Sequence, residues 1–273
     1  MDKPESTAPN PALPRRRVHI PLWSFLLAIA VIITALLLIL RLARPRHTIF
    51  KSEEKTLAAN PGARSSFLLP DGTQVWLNAG SSLTYKVLPR SDFRLADLEG
   101  EAYFIVAGSK DHPFLVHSKD LEIFINSDAI LDLNAYRDDS TTQVSIFDGS
   151  AEVLFHNNTS SRVTLRGVDK LIVPEYNWHI SMDKPMYLPQ DSLYAETAWT
   201  KNRLVFFGTS LKDLIPRLQR WYNVKITIND DNLRKQRFSA MLTDPGLLKT
   251  LEILQTAAPF HYRIDKDQVS ITP

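Results

Sequence analysis

The fold class turns on the stretch Leu69-Pro70-Asp71-Gly72-Thr73-Gln74-Val75-Trp76-Leu77-Asn78-Ala79-Gly80-Ser81-Ser82-Leu83-Thr84-Tyr85. Pro70 pre-sets φ and Gly72 supplies the positive φ of a tight turn, so residues 67–69 and 73–78 read as the arms of a hairpin. In the second arm Thr73, Val75 and Leu77 fall on one face of the pleat. Short alternating runs follow at residues 93–98, 101–106, 114–116, 121–125 and 131–136. Residues 144–147 and 151–155 flank Asp148-Gly149-Ser150, which reads as a second hairpin turn, and residues 163–165 and 171–173 complete the series. No helical period of useful length interrupts them. An all-β domain is expected over residues 60–182, as a twisted sheet or a β-helix-like stack.

The period changes after residue 199. Residues 204–207 read as a strand, and Ser210 with Asp213 three positions on has capping-box spacing. Leu211, Leu214, Ile215, Leu218 and Tyr222 then recur on one helical face. Pro216 falls inside that helix at a cost of about 3 kcal/mol, so a kink or a restart is expected there. Residues 224–228 are strand-like. Asp244-Pro245 sets proline at the first position of a second helix with Leu247, Leu248, Leu251 and Leu254. Residues 260–264 and 268–272 close as two strands around Asp265-Lys266-Asp267. The order βαβ followed by βαββ predicts a small α+β domain over residues 199–273. Residues 183–198, with Pro185 and Pro189 and no strong period, read as a linker. The fold class is mainly β plus α+β.

Residues 20–40 hold no charged side chain, and as a helix they would be about 32 Å long, enough to cross a hydrocarbon core of about 30 Å. Trp23 lies near one end, where its ring suits the interface, and Pro21 falls in the first turn. The run exceeds the roughly 7–15 residues of a signal-peptide core and continues into Arg41-Leu42-Ala43-Arg44-Pro45, so a retained single-pass transmembrane helix is expected. Arg15-Arg16-Arg17 would be costly to translocate. Residues 1–19 therefore read as a short cytoplasmic tail, residues 41–59 as a juxtamembrane linker, and the remainder as lying outside the membrane.

Several chemistries drop out. Among 273 residues there is no cysteine, which excludes disulfide frameworks, thiolate nucleophiles, iron–sulfur clusters and Cys-containing zinc fingers. The 9 glycines are too dispersed for G-x-G-x-x-G or a P-loop. The 7 histidines form no H-E-x-x-H, and His112 and His117 read as surface residues. Glu53-Glu54, Asp138-Asp139 and Asp230-Asp231 read as solvated loops rather than acid–base pairs, and Ser81-Ser82 lacks the G-x-S-x-G elbow. The net charge of +2 hides a division: residues 1–55 carry nine basic and four acidic side chains, leaving 23 and 26 for residues 56–273. That outer part has no electrostatic footprint for nucleic acid. No catalytic, cofactor or metal site is expected, and the chain reads as a non-enzyme.

The motifs resemble the FecR family of bacterial inner-membrane regulators, which control sigma factors. The likeness rests on the first block, with Leu69, Pro70, Asp71, Gly72, Leu77, Asn78 and Ser81. A second block holds Gly100, Glu101, Ala102, Phe104 and Val106, then Pro113 and Phe114, and a third is residues 148–153. The family often reads V-L-G-T-x-F-N-V where this chain has Asn126-Ser127-Asp128-Ala129-Ile130-Leu131-Asp132-Leu133, so its Gly-Thr is absent. Residues 199–273 are similar to the domain that accompanies many such proteins, itself like the short N-terminal module of secretins and TonB-dependent receptors. The resemblance implies an inner-membrane protein with a periplasmic C-terminal part. Its partners would be the N-terminal signalling domain of a TonB-dependent outer-membrane receptor and a sigma factor held through residues 1–19. That tail carries Pro4, Pro9, Pro11 and Pro14 and is too short to fold alone, so either it binds as a peptide or the sigma-capturing part is lost, supplied by another chain or encoded upstream of Met1. The alternative is a membrane-tethered periplasmic binding module without sigma-factor control. Trp221 and Tyr222 are candidate partner contacts, and the last strand, with Val269 and Ile271, is a candidate free edge for β-augmentation.

Overall fold

Period-two burial runs through most strands of the computed structural model, which describes residues 33–34, 53–87, 93–119, 121–156, 158–175 and 179–273. The chain divides into two units, residues 1–48 and 49–273, and all the described strands belong to the second. The transmembrane span expected over residues 20–40 lies outside the described residues except for Ile33 and Thr34, which are helical. Among the described residues no helix is long and apolar enough to cross a membrane.

The β body begins with β1 (Glu53–Ala58), β2 (Ser65–Leu68), β3 (Gln74–Leu77), β4 (Ser82–Val87), β5 (Arg94–Val106), β6 (Phe114–Ser118) and β7 (Leu121–Ile125). It continues with β8 (Ala129–Ala135), β9 (Thr141–Asp148), β10 (Ser150–Phe155), β11 (Asn158–Arg166), β12 (Asp169–Pro174) and β13 (Ser181–Asp183). These make one 13-stranded sheet, curled into a half-barrel. The expected hairpin is β2–β3, with Phe67 opposite Val75. Its turn is closed by Gly72 N–H donating to the Leu69 carbonyl at 3.0 Å. Asp71 Oδ1 accepts from the Thr73 N–H at 2.9 Å, and Arg94 Nη1 meets Asp71 Oδ2 at 2.5 Å. Thr73, Val75 and Leu77 are all fully buried, as their shared face requires.

β5 bends the sheet. Its first half pairs with β4 and, in parallel, with β6; its second half pairs with β3 and β8. Gly100 sits at the change of partner with φ +102°, and a Cβ there would lie 2.4 Å from Ser81 Oγ. Gly149 marks a second crossing. Residues 148–150 do not turn a hairpin: β9 pairs with β8 and β12, whereas β10 pairs with β7 and β11. Every pairing in the sheet other than β5–β6 is antiparallel, which rules out a β-helix-like stack. The two halves share one apolar core that includes Phe104, Phe114, Leu131, Ile123 and Leu165.

Residues 183–198 are not a plain linker. They carry the ribbon β14 (Tyr187–Leu188) and β15 (Leu193–Tyr194), followed by a 3₁₀ turn, Ala195–Lys201. The α/β lobe then runs β16 (Arg203–Ser210), α1 (Leu211–Tyr222), β17 (Lys225–Ile228), α2 (Asp231–Lys235), β18 (Arg237–Thr243), α3 (Leu247–Ala257), β19 (His261–Asp265) and β20 (Gln268–Thr272). β16 pairs with β18, and the second sheet has the order β17-β20-β19. Ser210 caps α1, its Oγ accepting from the Asp213 N–H at 3.2 Å. The helix does not restart at Pro216. The proline withholds only the N–H that would reach the carbonyl of Lys212, an exposed residue whose carbonyl water can satisfy. Pro245 is not the first residue of α3, because Asp244 is tied to Asn202 through its N–H at 2.9 Å, and Gly246 caps the helix. Asp230, read as a loop residue, caps the short α2.

Gly100→Ala would place a side chain on positive φ against Ser81. We expect a loss of about 2–3 kcal/mol in denaturant unfolding; wild-type stability in this variant would contradict a bend that depends on glycine.

Candidate functional site

The register of β5, β8, β9 and β12 aligns their outward side chains in rows. One row reads Glu101, Asn134, Gln143; the next reads Tyr103, Asp132, Ser145, Lys170. On the opposite face Ala102, Leu133, Val144 and Leu171 enter the core. The strand alternation predicts a solvated polar face, yet Glu101 is 8% exposed and Asp132 3%. Something covers them.

The cover is the 3₁₀ turn together with β16 and α1. Trp199 is buried and donates its Nε1–H to Asp132 Oδ1 at 3.2 Å. Glu196 from the same turn meets Lys170 Nζ at 2.8 Å. Glu101 is held by two amides, Asn78 Nδ2 at 2.5 Å on one oxygen and Asn134 Nδ2 at 3.0 Å on the other. Its own N–H donates to Ser81 Oγ at 2.9 Å, and Tyr136 closes the network through Ser81 Oγ at 3.0 Å and the Ala79 carbonyl at 2.8 Å. Burial holds the Glu101 carboxyl above the usual range, against the opposing pull of Asn78, Arg217 and Asn134. Burial, and then the charge of Glu101, pushes Asp132 well above it.

Three contacts fasten the lobe to the body. Arg220, on α1, reaches Asp138 at 2.6 Å and Asp139 at 2.7 Å in the β8–β9 turn. Its guanidinium lies 3.6 Å from the Tyr136 ring centroid. Arg64, just before β2, stacks 3.5 Å from the Trp221 ring centroid and donates to Asn202 Oδ1 at 2.9 Å. The Arg220 carbonyl accepts from the Gly62 N–H at 2.8 Å. Between body and lobe lies a cavity of about 290 Å³, lined among others by Asp132, Asn134, Gln143, Ser145, Trp199 and Arg217.

Of the motif residues read from sequence, Asn78, Ser81, Gly100 and Glu101 converge on this site. Leu69, Leu77, Ala102, Phe104, Val106 and Phe114 are core. Asp71 and Gly72 build the hairpin turn, next to exposed Pro70, and Pro113 accepts the Arg94 N–H at 2.9 Å. The candidate contacts fare differently. Val269 and Ile271 are each 1% exposed on β20, which is the central strand of its sheet, so the last strand is not a free edge. Trp221 is half-buried beneath Arg64, and Tyr222 bonds Thr250 at 2.6 Å. Asp139 is no solvated loop residue but a buried partner of Arg220. Trp199, one of the C-terminal aromatics expected to be mostly core, is buried. Asp132, Asn134, Tyr136, Arg64 and Arg220 escaped sequence reasoning, and the one visible signal was Asp132 and Asn134 alternating with Leu131 and Leu133.

The described residues from 53 onward thus form a curled β body carrying a fastened α/β lobe. The family model of the FecR protein matches residues 55–152, and that of the FecR C-terminal domain matches residues 203–271. The chain belongs to the FecR family. It is similar to a candidate anti-sigma factor from Parabacteroides distasonis ATCC 8503 in a crystal structure at 1.65 Å, with 27% identity and a TM-score of 0.71, over 80% of this chain and 98% of that one. A second crystal structure under the same description, at 2.50 Å, gives 27% identity and a TM-score of 0.71 over 81% and 99%. No curated protein sequence matches the chain.

Arg220→Ala would leave the buried Asp139 carboxylate unpaired. We expect a cost of about 3 kcal/mol in denaturant unfolding, with little change on mutating exposed Arg162. The raised carboxyls of Glu101 and Asp132, with that of Asp139, which burial also raises, predict a pH dependence. The folded chain binds these protons more tightly than the unfolded chain, so their contribution is complete below the unfolded range near pH 4 and is lost as pH rises through the raised values. Asp132→Asn keeps an acceptor for Trp199 and removes the ionisation. Its unfolding free energy should fall less steeply than the parent's as pH rises above about 4. Parallel curves would refute the assignment.

Proposed function

We propose that this chain is an anti-sigma regulator, working by protein contact rather than by catalysis. The observation that carries the reading is the presence of both FecR family matches on one chain. The likeness to a candidate anti-sigma factor over most of the length of both chains supports it. In this reading residues 20–40 anchor the chain in the inner membrane, residues 1–19 engage the sigma factor as an extended peptide, and the part beyond the membrane contacts the N-terminal signalling domain of a TonB-dependent receptor. The Arg220 and Arg64 contacts support a relay of this kind, because a load on the lobe reaches the β body through directional contacts rather than through a slack linker. The other reading is a tethered binding module without sigma-factor control; the proline content of residues 1–19 favours it.

A promoter reporter for the partner sigma factor separates the two. Deleting the chain should change output at least several-fold, and deleting residues 2–19 alone should reproduce that change. Output that ignores both deletions would favour the tethered module.

A further inference from the structure

The cavity between body and lobe has a use that the regulatory reading does not require. Its floor is a two-by-two patch of side chains in adjacent rows: Asp132 opposite Ser145, and Asn134 opposite Gln143. Neighbouring strands and alternate residues set a patch of about 5 by 7 Å, roughly the footprint of one pyranose ring. Several polar groups there lack a protein partner among the described residues. Asp132 is 3% exposed, and only its Oδ1 receives a hydrogen bond, from Trp199. Asn134 Oδ1 is buried without a partner. Gln143 donates through Nε2 to Thr141 at 3.1 Å and leaves its carbonyl open. Ser145 and Arg217 also line the cavity; neither side chain makes a hydrogen bond or salt bridge among the described residues, and Arg217 acts on Glu101 through its charge alone.

These groups constrain the occupant. A simple anion would meet the open acceptors Asn134 Oδ1 and the Gln143 carbonyl beside the two acids Glu101 and Asp132. A simple cation would meet Arg217, Lys170 and Arg203. Open acceptors on the floor and an open donor opposite favour groups that donate and accept at once, which is the chemistry of hydroxyls. Trp199 and Phe206 add apolar wall for C–H faces. Buried polar groups left unpaired are costly, so a ligand that supplies those bonds gains by them.

We propose that this cavity binds a neutral, hydroxyl-rich small molecule of monosaccharide size, held by Asp132, Gln143, Ser145 and Arg217. The site would make the body–lobe joint responsive to a solute directly, independently of any protein partner. It does not rest on sigma-factor control, and its test reads binding alone.

The test uses the full-length chain with glucose, galactose, mannose, xylose and N-acetylglucosamine as probes, followed by calorimetry and tryptophan fluorescence, with citrate and lysine as charged controls. At least one sugar should bind saturably below about 10 mM. Gln143→Ala and Arg217→Ala, both half-buried positions, should each weaken that binding about tenfold, as expected for one lost hydrogen bond. Thermal melting of each variant checks that it folds. Three results would overturn the proposal: no binding by any sugar, which leaves a water-filled joint; binding that neither folded variant weakens; or preferential binding of citrate or lysine.

Discussion

A carboxylate buried on the outer face of a strand sets the terms for everything around it. Glu101 is almost out of water, and its position is one that the β pattern assigns to solvent. Such a group is tolerable only if both oxygens are met and its backbone is paired. Asn78 and Asn134 meet the oxygens, and Ser81 accepts the backbone N–H. Asn78 and Ser81 share the β3–β4 loop and Asn134 lies on β8, so their convergence needs the bend at Gly100 that brings β3, β4 and β8 against one strand. The network also needs a roof. The 3₁₀ turn supplies it with Trp199, which in turn is fixed by the other buried acid, Asp132. Remove the roof and the two acids would simply be solvated; keep it, and the lobe has one place to sit.

The sequence showed the β body and the lobe clearly, because both are written in period. The face carrying Thr73, Val75 and Leu77, the cap at Ser210 and the stripe of α1 are local facts that burial obeys. What the sequence concealed is nonlocal. Asp148-Gly149-Ser150 has the composition of a hairpin turn, and nothing within the segment distinguishes turning back from crossing to the other half of the sheet. Asp132 and Asn134 alternate with leucines as any exposed strand face does; only a second layer, from far along the chain, changes their environment. The last strand looked like an edge for a similar reason. Terminal position in the chain does not determine position in a sheet, and β17 returns to pair with β20 in parallel.

The stretch between body and lobe misled most instructively. Residues 183–198 have two prolines and no strong period, the ordinary marks of a linker. Yet Glu196 inside the stretch and Trp199 just past its end carry a nearly buried ion pair and a hydrogen bond to a buried acid. Aperiodic sequence therefore marks irregular backbone, not looseness. Here the irregular segment is what covers the polar rows.

The joint that results is polar, and this bears on how it can move. An apolar seam would lose about 25 cal/mol for every Å² exposed on opening. The contacts here are instead Arg220 on two aspartates, Arg64 on Trp221 and Lys170 on Glu196. Truncating one partner strands a charge and is costly, but separating both partners hydrates each of them, so the net cost of opening is far smaller than the cost of mutation. Directional contacts still fix a single closed geometry. Were such a joint to open, a modest difference in affinity would shift its population, since each 1.4 kcal/mol of differential binding moves the ratio about tenfold. Any partner gripping the lobe, or any solute completing the open hydrogen bonds around Asp132, acts on that same balance. Asp132 raises the stakes on the closed side, because its second oxygen favours whatever arrangement supplies a donor.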